Sequence, residues 1–171
     1  FRSSTRSPLG VVTSSGDLLR IEPGDFTALD PAKPTPKDGV NLVSFLDLPG
    51  SDRVLGLFPL GSAAPTIALG TRSGVIKRVD LSTLPDKTSQ AIVSLKPDDH
   101  VVGVGMAGDA DWLCFITSDA QVLRFSAEQV RPQGPGAAGM TGISLNDGAD
   151  VLCLATAYSE DHRVVTVSST S

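Results

Sequence analysis

Cysteine and long apolar runs are both scarce in this 171-residue chain, and each scarcity excludes a class of protein. The two cysteines, Cys114 and Cys153, show no C-x-x-C spacing, so the sequence offers neither a disulfide framework nor a zinc site. Each lies inside a short apolar run, which is typical of an unpaired, buried cysteine. No apolar run approaches the ~18 residues of a membrane span, and no signal peptide opens the chain. We therefore expect a cytoplasmic protein without a membrane partner.

Helical periodicity is also missing from the sequence. No 11-residue window has apolar residues at a 3.6-residue period without an interrupting glycine or proline, so we expect few helices. The 17 glycines and 12 prolines are spread between short runs rich in Val, Ile and Leu. This alternation is typical of an all-β protein. Only "LSTLP" and "SAEQV" are expected to form single helical turns.

The chain has no excess of positive charge. Fourteen Lys and Arg against nineteen Asp and Glu give a net charge of −5. A chain of this charge binds a polyanion only if its basic residues gather on one surface. The distribution of the cations therefore matters more than their number.

What the sequence does contain is a repeat. "TSSGDLLRIEP" from Thr13 recurs as "TRSGVIKRVDL" from Thr71 and as "TSDAQVLRFSA" from Thr117. Each copy reads as a tight turn, at Ser-Gly or Asp-Ala, followed by a strand that ends in arginine. The aligned arginines are Arg20, Arg78 and Arg124.

A second pattern follows each copy, in "LPGSDRVLGL", "LKPDDHVVGV" and "LNDGADVLCL". Each reads as a strand, a polar turn of about five residues and another strand, which predicts a hairpin. Four strands in about 45 to 58 residues is the size of one propeller blade. The predicted units cover approximately residues 8–60, 64–107 and 110–157, with the start of a further unit at 161–171. We expect a single domain of about three and a half blades, and a longer array around it, because a terminal blade needs a neighbour.

Several short stretches match catalytic or ligand-binding motifs but lack the neighbouring residues that those functions require. "GVGMAG" and "GPGAAG" match G-x-G-x-x-G, but neither is followed by the helix and the acid that dinucleotide binding requires. His100 and His162 have no partner at metal-ligand spacing. No Ser, His and Asp stand in a recognisable catalytic context. We therefore predict no catalytic residue, no metal and no cofactor.

The stretch "QVLRFSAEQVRPQGPGAAGMTGISLNDGADVL", residues 121–152, resembles the blade repeat in the C-terminal domain of the A subunit of DNA gyrase and topoisomerase IV. The repeat of that family runs Leu-Arg-Phe, Val-Arg-Pro, Gly-Arg-x-Ala-x-Gly, Gly-Ile-x-Leu and then Val. The matching residues are Leu123–Phe125, Val130–Pro132, Gly134, Ala137, Gly139, Gly142, Ile143, Leu145 and Val151. Pro135 stands where the family often has arginine, and the basic glycine-rich heptapeptide typical of gyrase is absent from the chain.

The resemblance implies a β-pinwheel, in which propeller-like blades of four antiparallel strands exchange a strand with a neighbour. It also implies that duplex DNA bends round a basic outer rim without sequence specificity and is presented to a cleavage core located elsewhere. The implied partners are duplex DNA, the remainder of the topoisomerase A subunit and its ATPase subunit, at the bacterial nucleoid. The cleaving tyrosine of the family lies in an Arg-Tyr-Thr context that "TAYSE" around Tyr158 does not reproduce, so we expect an accessory domain rather than the catalyst.

The candidate DNA contacts are basic residues of the repeated strands and of the turn after the third. Blade symmetry would set the arginines in register round one rim, as a band of phosphate contacts. The candidates are Arg20, Lys77, Arg78, Arg124 and Arg131. The alternative is structural: each repeated arginine pairs with an acid nearby in the sequence. Those acids are Glu22, Asp80 and Glu128.

A function of a different class is also compatible with the repeats, namely a propeller-like protein-interaction module without a nucleic-acid role. The two functions differ in where the basic residues lie. Cations gathered on one rim favour DNA binding, and scattered cations favour the interaction module.

Overall fold

The computed structural model describes residues 6–26, 39–159 and 162, so the predicted further unit at 161–171 lies outside the described residues apart from His162. The described residues form strands, turns and short helical segments. The strands are β1 Leu9–Thr13, β2 Asp17–Ile21, β3 Val54–Pro59, β4 Thr66–Thr71, β5 Val75–Asp80, β6 Ser89–Ala91, β7 Val101–Met106, β8 Trp112–Thr117, β9 Val122–Ser126, β10 Met140–Thr141 and β11 Val151–Ala157. The helix α1 spans Leu42–Phe45, and 3₁₀ turns span Pro23–Asp25, Leu81–Thr83 and Ala127–Gln129.

The strands form three antiparallel sheets, which confirms the all-β prediction. Sheet A has the order β3-β1-β2-β6, sheet B the order β10-β5-β4-β7, and sheet C the order β11-β8-β9. The longest helix among the described residues has four residues, and "LSTLP" and "SAEQV" contain the 3₁₀ turns, as predicted. Within the described part of the chain, no helix has the length and apolar character needed to cross a lipid bilayer.

Sheets A and B each take their outermost strand from the following repeat. β6 lies in the second repeat but pairs with β2 of the first, with Gln90 opposite Leu18. β10 lies in the third repeat but pairs with β5 of the second, with Met140 opposite Ile76. Leu18 and Ile76 occupy the same position of the repeated strand, so the exchange has the same register in both sheets. The strand exchange that the resemblance implied is present, and the fold is a β-pinwheel.

The predicted hairpins are wrong. β6 and β7 follow each other in the chain, but β7 pairs with β4 of its own repeat while β6 joins the preceding sheet. β10 and β11 are divided in the same way. In the first repeat the helix α1, and not a strand, precedes the polar turn. The local alternation of residues is the same for a hairpin and for strands of adjacent sheets, so the pattern alone could not show which partner each strand takes.

Apolar side chains fill the spaces between successive sheets. Val12 and Leu18 of sheet A pack with Ile67 of sheet B in one cluster. Ile76 of sheet B packs with Phe115 of sheet C in a second cluster. Because sheet B has a neighbour on each face, β4 is buried at every position after its first residue.

The two cysteines are free, as predicted, and lie on neighbouring strands of sheet C. Cys114 in β8 and Cys153 in β11 are both half-buried. Burial raises the pKa of both thiols, so both are predominantly protonated at neutral pH.

The tight turns that open the repeated strands lie together at one end of the sheets, which we name the turn end. Gly16 and Gly74 have positive φ angles of 82° and 86°, and Ala120 takes the same role with a φ of 62°. Each donates its N–H to the carbonyl oxygen of the threonine three residues earlier. The turns predicted at Ser-Gly and Asp-Ala are therefore confirmed.

The innermost strands β3, β7 and β11 pack against one another in succession. β7 approaches β11 closely because glycine alternates with valine along it. A Cβ atom at Gly103 would lie 2.5 Å from the carbonyl oxygen of Leu154 in β11, and one at Gly105 would collide with the side chain of Thr156. These are glycines of "GVGMAG", so contact between sheets explains that motif.

We predict that Gly103→Ala destabilises the fold and that Gly136→Ala does not. The methyl group at position 103 meets backbone atoms of β11, which can move only by separating the strands, and overpacking of this kind costs about 1 to 3 kcal/mol. No described atom lies within 4 Å of a Cβ at Gly136. Chemical denaturation of both variants and the unchanged protein measures the difference. Equal free energies of unfolding for the two variants would contradict the close packing of β7 on β11.

Candidate nucleic-acid interface

The repeated strand occupies the same place in each sheet, as β2, β5 and β9. Its arginines lie opposite equivalent residues of the neighbouring strand. The pairs are Arg20 with Gly10, Arg78 with Ala68, and Arg124 with Cys114. The alignment of the repeats in sequence is therefore also an alignment in space, yet the three guanidinium groups have different surroundings.

Arg78 is buried between sheets B and C, with 2% of its surface exposed. Nε donates to the carbonyl oxygen of Ala107 at 3.1 Å, and Nη1 donates to those of Ala127 and Val130 at 2.8 and 3.0 Å. Nη2 donates to the carboxylate of Asp109 at 2.7 Å. The 3₁₀ turn of the third repeat covers this arginine and leaves it no path to a phosphate. The prediction that Arg78 contacts DNA is wrong, and so is its expected pairing with Asp80.

Lys77 points to the opposite face of β5 and is fully buried. Nζ donates to four carbonyl oxygens, those of Ile92 at 2.8 Å, Gly134 at 2.7 Å, Pro135 at 3.0 Å and Ala137 at 2.7 Å. An ammonium group has three hydrogens, so these acceptors complete its shell. The prediction that Lys77 contacts DNA is wrong, because its charge is enclosed by the backbone. Burial also lowers the pKa of Lys77 to about 8.

The cage around Lys77 depends on a loop of the third repeat. Three of its four carbonyls belong to "GPGAAG", residues 134–139, which precedes β10. The segment that precedes β6 in the second repeat, residues 85–88, is shorter. The position equivalent to Lys77 in the first repeat is Leu19. The buried lysine and the longer loop therefore occur together, at sheet B.

Arg20 is half-buried and forms two ion pairs. Nε donates to Glu22 at 2.8 Å, and Nη1 donates to Asp86 of the second repeat. The structural alternative is confirmed for this arginine, since Glu22 was its expected partner. Two carboxylates compensate its charge, so little of that charge is left for a phosphate.

Arg124 and Arg131 are exposed. The guanidinium carbon of Arg124 lies 3.9 Å from the centre of the Trp112 ring, which is a cation–π contact. The partner of Arg124 is thus an aromatic ring and not Glu128, and stacking leaves its N–H groups open at the edge. Arg131 lies in the segment that leads from the 3₁₀ turn of the third repeat towards β10.

Three exposed cations lie at the outside of successive sheets. The outermost strands are β6 in sheet A and β10 in sheet B, and β9, the counterpart of β2 and β5, is the edge strand of sheet C among the described residues. We define the outer rim as these strands and the segments that lead into β6 and β10. Its exposed cations are Lys87, Arg124 and Arg131. Lys87 was missed because it lies outside the repeated strand, and only the exchange of β6 into sheet A moves it to the rim.

Carboxylate and imidazole groups do not gather into a metal-binding set in the described part of the chain, where no three His, Cys, Asp or Glu side chains come together. The half-buried Asp99 has a structural role instead. Burial alone would raise the pKa of Asp99, but hydrogen bonds from Ser73, Thr71 and the backbone of His100 outweigh it and lower that pKa. Asp99 therefore holds its charge and ties the second turn to the segment before β7.

Residues 65–107 and 111–152 match the family described as DNA gyrase C-terminal domain, beta-propeller. The chain belongs to this family. The matched ranges contain the buried pair Lys77 and Arg78 as well as the rim cations Lys87, Arg124 and Arg131. The domain is a part of the C-terminal region of a gyrase or topoisomerase IV A subunit.

Bacterial gyrase subunits are similar to this domain over most of its length. The DNA gyrase A subunit of Staphylococcus epidermidis is 28% identical over 134 residues, which cover 75% of this chain and 15% of that protein. Its counterpart in Mycolicibacterium smegmatis is 28% identical over 174 residues, 98% of this chain and 20% of that protein. The counterpart in Lawsonia intracellularis is 35% identical over 103 residues, 58% of this chain and 13% of that protein. The chain thus spans a fifth or less of the length of these relatives.

Solved structures show the same fold. The C-terminal domain of DNA topoisomerase IV superposes with a TM-score of 0.79 at 20% identity, over 92% of this chain and 49% of that one. The E. coli ParC C-terminal domain superposes with a TM-score of 0.68 at 18% identity, over 90% of this chain and 63% of that one. The three sheets of this gyrase-family domain therefore have the arrangement of the known pinwheels.

We predict that Lys77 makes the stability of the domain rise above pH 8. Its folded-state pKa of about 8 lies below the ordinary 10.5. Between these values the unfolded chain binds more protons than the folded one, so the free energy of unfolding increases with pH, by at most about 3 kcal/mol. Lys77→Met removes this titration and leaves the carbonyl cage without a donor. The variant is less stable at pH 7, and its deficit widens as the pH rises towards 10.

Chemical denaturation at pH 7, 8, 9 and 10 measures this deficit. Lys96→Met is the matched control, because Lys96 is exposed and its removal leaves the pH dependence unchanged. Contributions from the residues that the three proteins share cancel in the difference. Parallel stability curves for Lys77→Met and the unchanged protein would contradict the role of the buried ammonium group.

Proposed function

We propose that this domain binds duplex DNA along its outer rim, without reading the base sequence, as an accessory domain of a type IIA topoisomerase. Membership of the gyrase C-terminal domain family supports this proposal. The observation that carries it is the placement of Lys87, Arg124 and Arg131, which are exposed at the outside of three successive sheets. Cations at these positions contact phosphates, which position a duplex and carry no base information.

The rim also explains why the duplex would bend. The blades of propeller-type folds lie round a central axis, so a duplex that meets cations on three successive blades would follow a curve. Smooth bending of a 20 to 30 base-pair site costs on the order of 1 to 6 kcal/mol, and phosphate contacts along the curve must offset that cost.

The charge of the domain limits how tightly it binds. The chain carries −5 overall, and the exposed Glu128 and Asp86 lie near the rim cations. Arg20 contributes little, since Glu22 and Asp86 already compensate it. We therefore expect weak binding that salt suppresses strongly.

The proposal assigns the chemistry to other parts of the enzyme. The domain bends DNA and presents it to the cleavage core of the A subunit, which acts together with its ATPase subunit. The relatives are bacterial gyrase subunits, so the expected place of action is the nucleoid in the bacterial cytoplasm.

We predict that the rim cations set the salt dependence of DNA binding. Replacing Lys87, Arg124 and Arg131 together by Gln should flatten the slope of log affinity against log salt by about 0.9 for each phosphate that is no longer neutralised. The change should be the same for two duplexes of unrelated sequence. Fluorescence anisotropy between about 50 and 200 mM salt measures the slope.

Two control variants separate a rim contact from a structural cation. Lys96→Gln removes one charge from the turn end and should leave the slope unchanged. Arg78→Gln should lower the melting temperature, because three carbonyls and Asp109 lose their donor, yet leave the slope unchanged in the folded protein. An unaltered slope in the triple variant would refute the proposal that the outer rim binds DNA. Absence of DNA binding by the unchanged protein would favour the protein-interaction module instead.

A further inference from the structure

A pocket of about 520 Å³ opens at the turn end, where the innermost strands of all three sheets begin. Its polar lining consists of Arg53, Arg72, His100 and Asp150. Valine and leucine side chains from the start of β3, β7 and β11 form its walls. We name it the inner pocket. It lies away from the outer rim, and none of its residues is a rim cation.

The fold repeats the same position three times around the inner pocket. Arg53, His100 and Asp150 each stand directly before an innermost strand. In each repeat, the second residue of the tight turn donates its backbone N–H to the carbonyl oxygen at that position. The bonds are Ser14 to Arg53 at 2.9 Å, Arg72 to His100 at 2.9 Å and Ser118 to Asp150 at 2.8 Å.

The turn residues also connect one repeat to the next. The carbonyl oxygen of Ser14 accepts from the N–H of Val101 in β7, and that of Arg72 accepts from the N–H of Val151 in β11, both at 2.9 Å. These backbone hydrogen bonds therefore fix the position of the main chain that carries the side chains lining the pocket. A pocket built on bonded backbone is largely formed before any ligand arrives.

Two arginines and one aspartate line the pocket, and the carboxylates of Asp52 and Asp99 beside it already accept hydrogen bonds from the turns. Arg72 donates to Asp150 at 3.2 Å and to the carbonyl oxygen of Asp98 at 3.3 Å, which are long contacts of half-exposed side chains. Arg53 is exposed, and no carboxylate of the described residues forms an ion pair with it. The neighbouring Asp52 accepts instead from the hydroxyl groups and backbone of the first turn. The guanidinium group of Arg53 and part of that of Arg72 are therefore available to bind a ligand.

The shape and chemistry of the pocket point to one class of ligand. Two guanidinium groups and an imidazole are the donors that proteins use for phosphate groups, because the planar fork of arginine binds two phosphate oxygens at once. The volume lies within the range of small-molecule sites, roughly 300 to 1,000 Å³. We propose that the inner pocket binds a small phosphorylated ligand, with its phosphate at Arg53, Arg72 and His100 and its uncharged portion against the aliphatic wall.

The experiment is a calorimetric titration with adenosine diphosphate, inorganic pyrophosphate and adenosine. Both phosphorylated probes should bind, and adenosine should not. Arg53→Gln should weaken the binding of adenosine diphosphate about tenfold, since the variant cannot form a hydrogen bond between two charged groups. The matched control is Lys96→Gln, which removes the same charge from an exposed position outside the pocket and should change the affinity less than about twofold.

Comparison of the probes also separates the contribution of the phosphate groups from that of the uncharged portion of the ligand. Tighter binding of adenosine diphosphate than of pyrophosphate supports a contact with the aliphatic wall, and equal binding supports a site for the phosphates alone. His100→Gln gives a second variant, and the ring protons of His100 should shift on titration in the unchanged protein. No saturable binding at about 1 mM probe, or the same affinity in Arg53→Gln, would overturn the proposal. The salt slope of DNA binding by Arg53→Gln should equal that of the unchanged protein, which separates this pocket from the rim.

Discussion

Two adjacent buried cations on β5 connect the repeats of this domain. A cation taken out of water is costly unless its hydrogen bonds are replaced, and here backbone carbonyls replace them. Lys77 takes its carbonyls from the second repeat and from the "GPGAAG" loop of the third. Arg78, on the opposite face, takes its own from the end of β7 and from the 3₁₀ turn of the third repeat. Lys77 and Arg78 thus order the two segments of the third repeat that pack on sheet B. These are the 3₁₀ turn and the "GPGAAG" loop, which together lead to β10.

Strand exchange then decides which residues lie outside. Because β6 and β10 join the preceding sheets, the connections that precede them become the outer edge of the molecule. Lys87 and Arg131 reach the rim in this way, while the strand that carries the repeated arginine becomes an inner neighbour in sheets A and B. The inner strands come close enough to build the core because β7 has glycine where β11 passes. The interface proposed for DNA and the pocket at the turn end therefore depend on the same pairing of strands.

One residue type at one repeated position has three different roles. Arg20 compensates two carboxylates, Arg78 satisfies buried carbonyls, and Arg124 stacks on Trp112. Charges counted in the sequence are therefore not charges at the surface, and the two cations enclosed at β5 leave the exterior more acidic than the net charge indicates. This distribution supports the proposal that the domain associates with DNA weakly and in a salt-dependent way.

The sequence by itself determined what depends on near neighbours along the chain. Short apolar runs between glycines predicted strands, the Ser-Gly and Asp-Ala pairs predicted the turns at Gly16, Gly74 and Ala120, and the motif of the third repeat identified the family. Tertiary structure alone decided which strands pair and which cations are buried. The carbonyls that enclose Lys77 lie 15 to 60 residues away, and the partner of β6 belongs to another repeat. A local pattern is the same whether its strand pairs with the next one or with a distant one, so the burial of a charge is settled only when the sheets assemble.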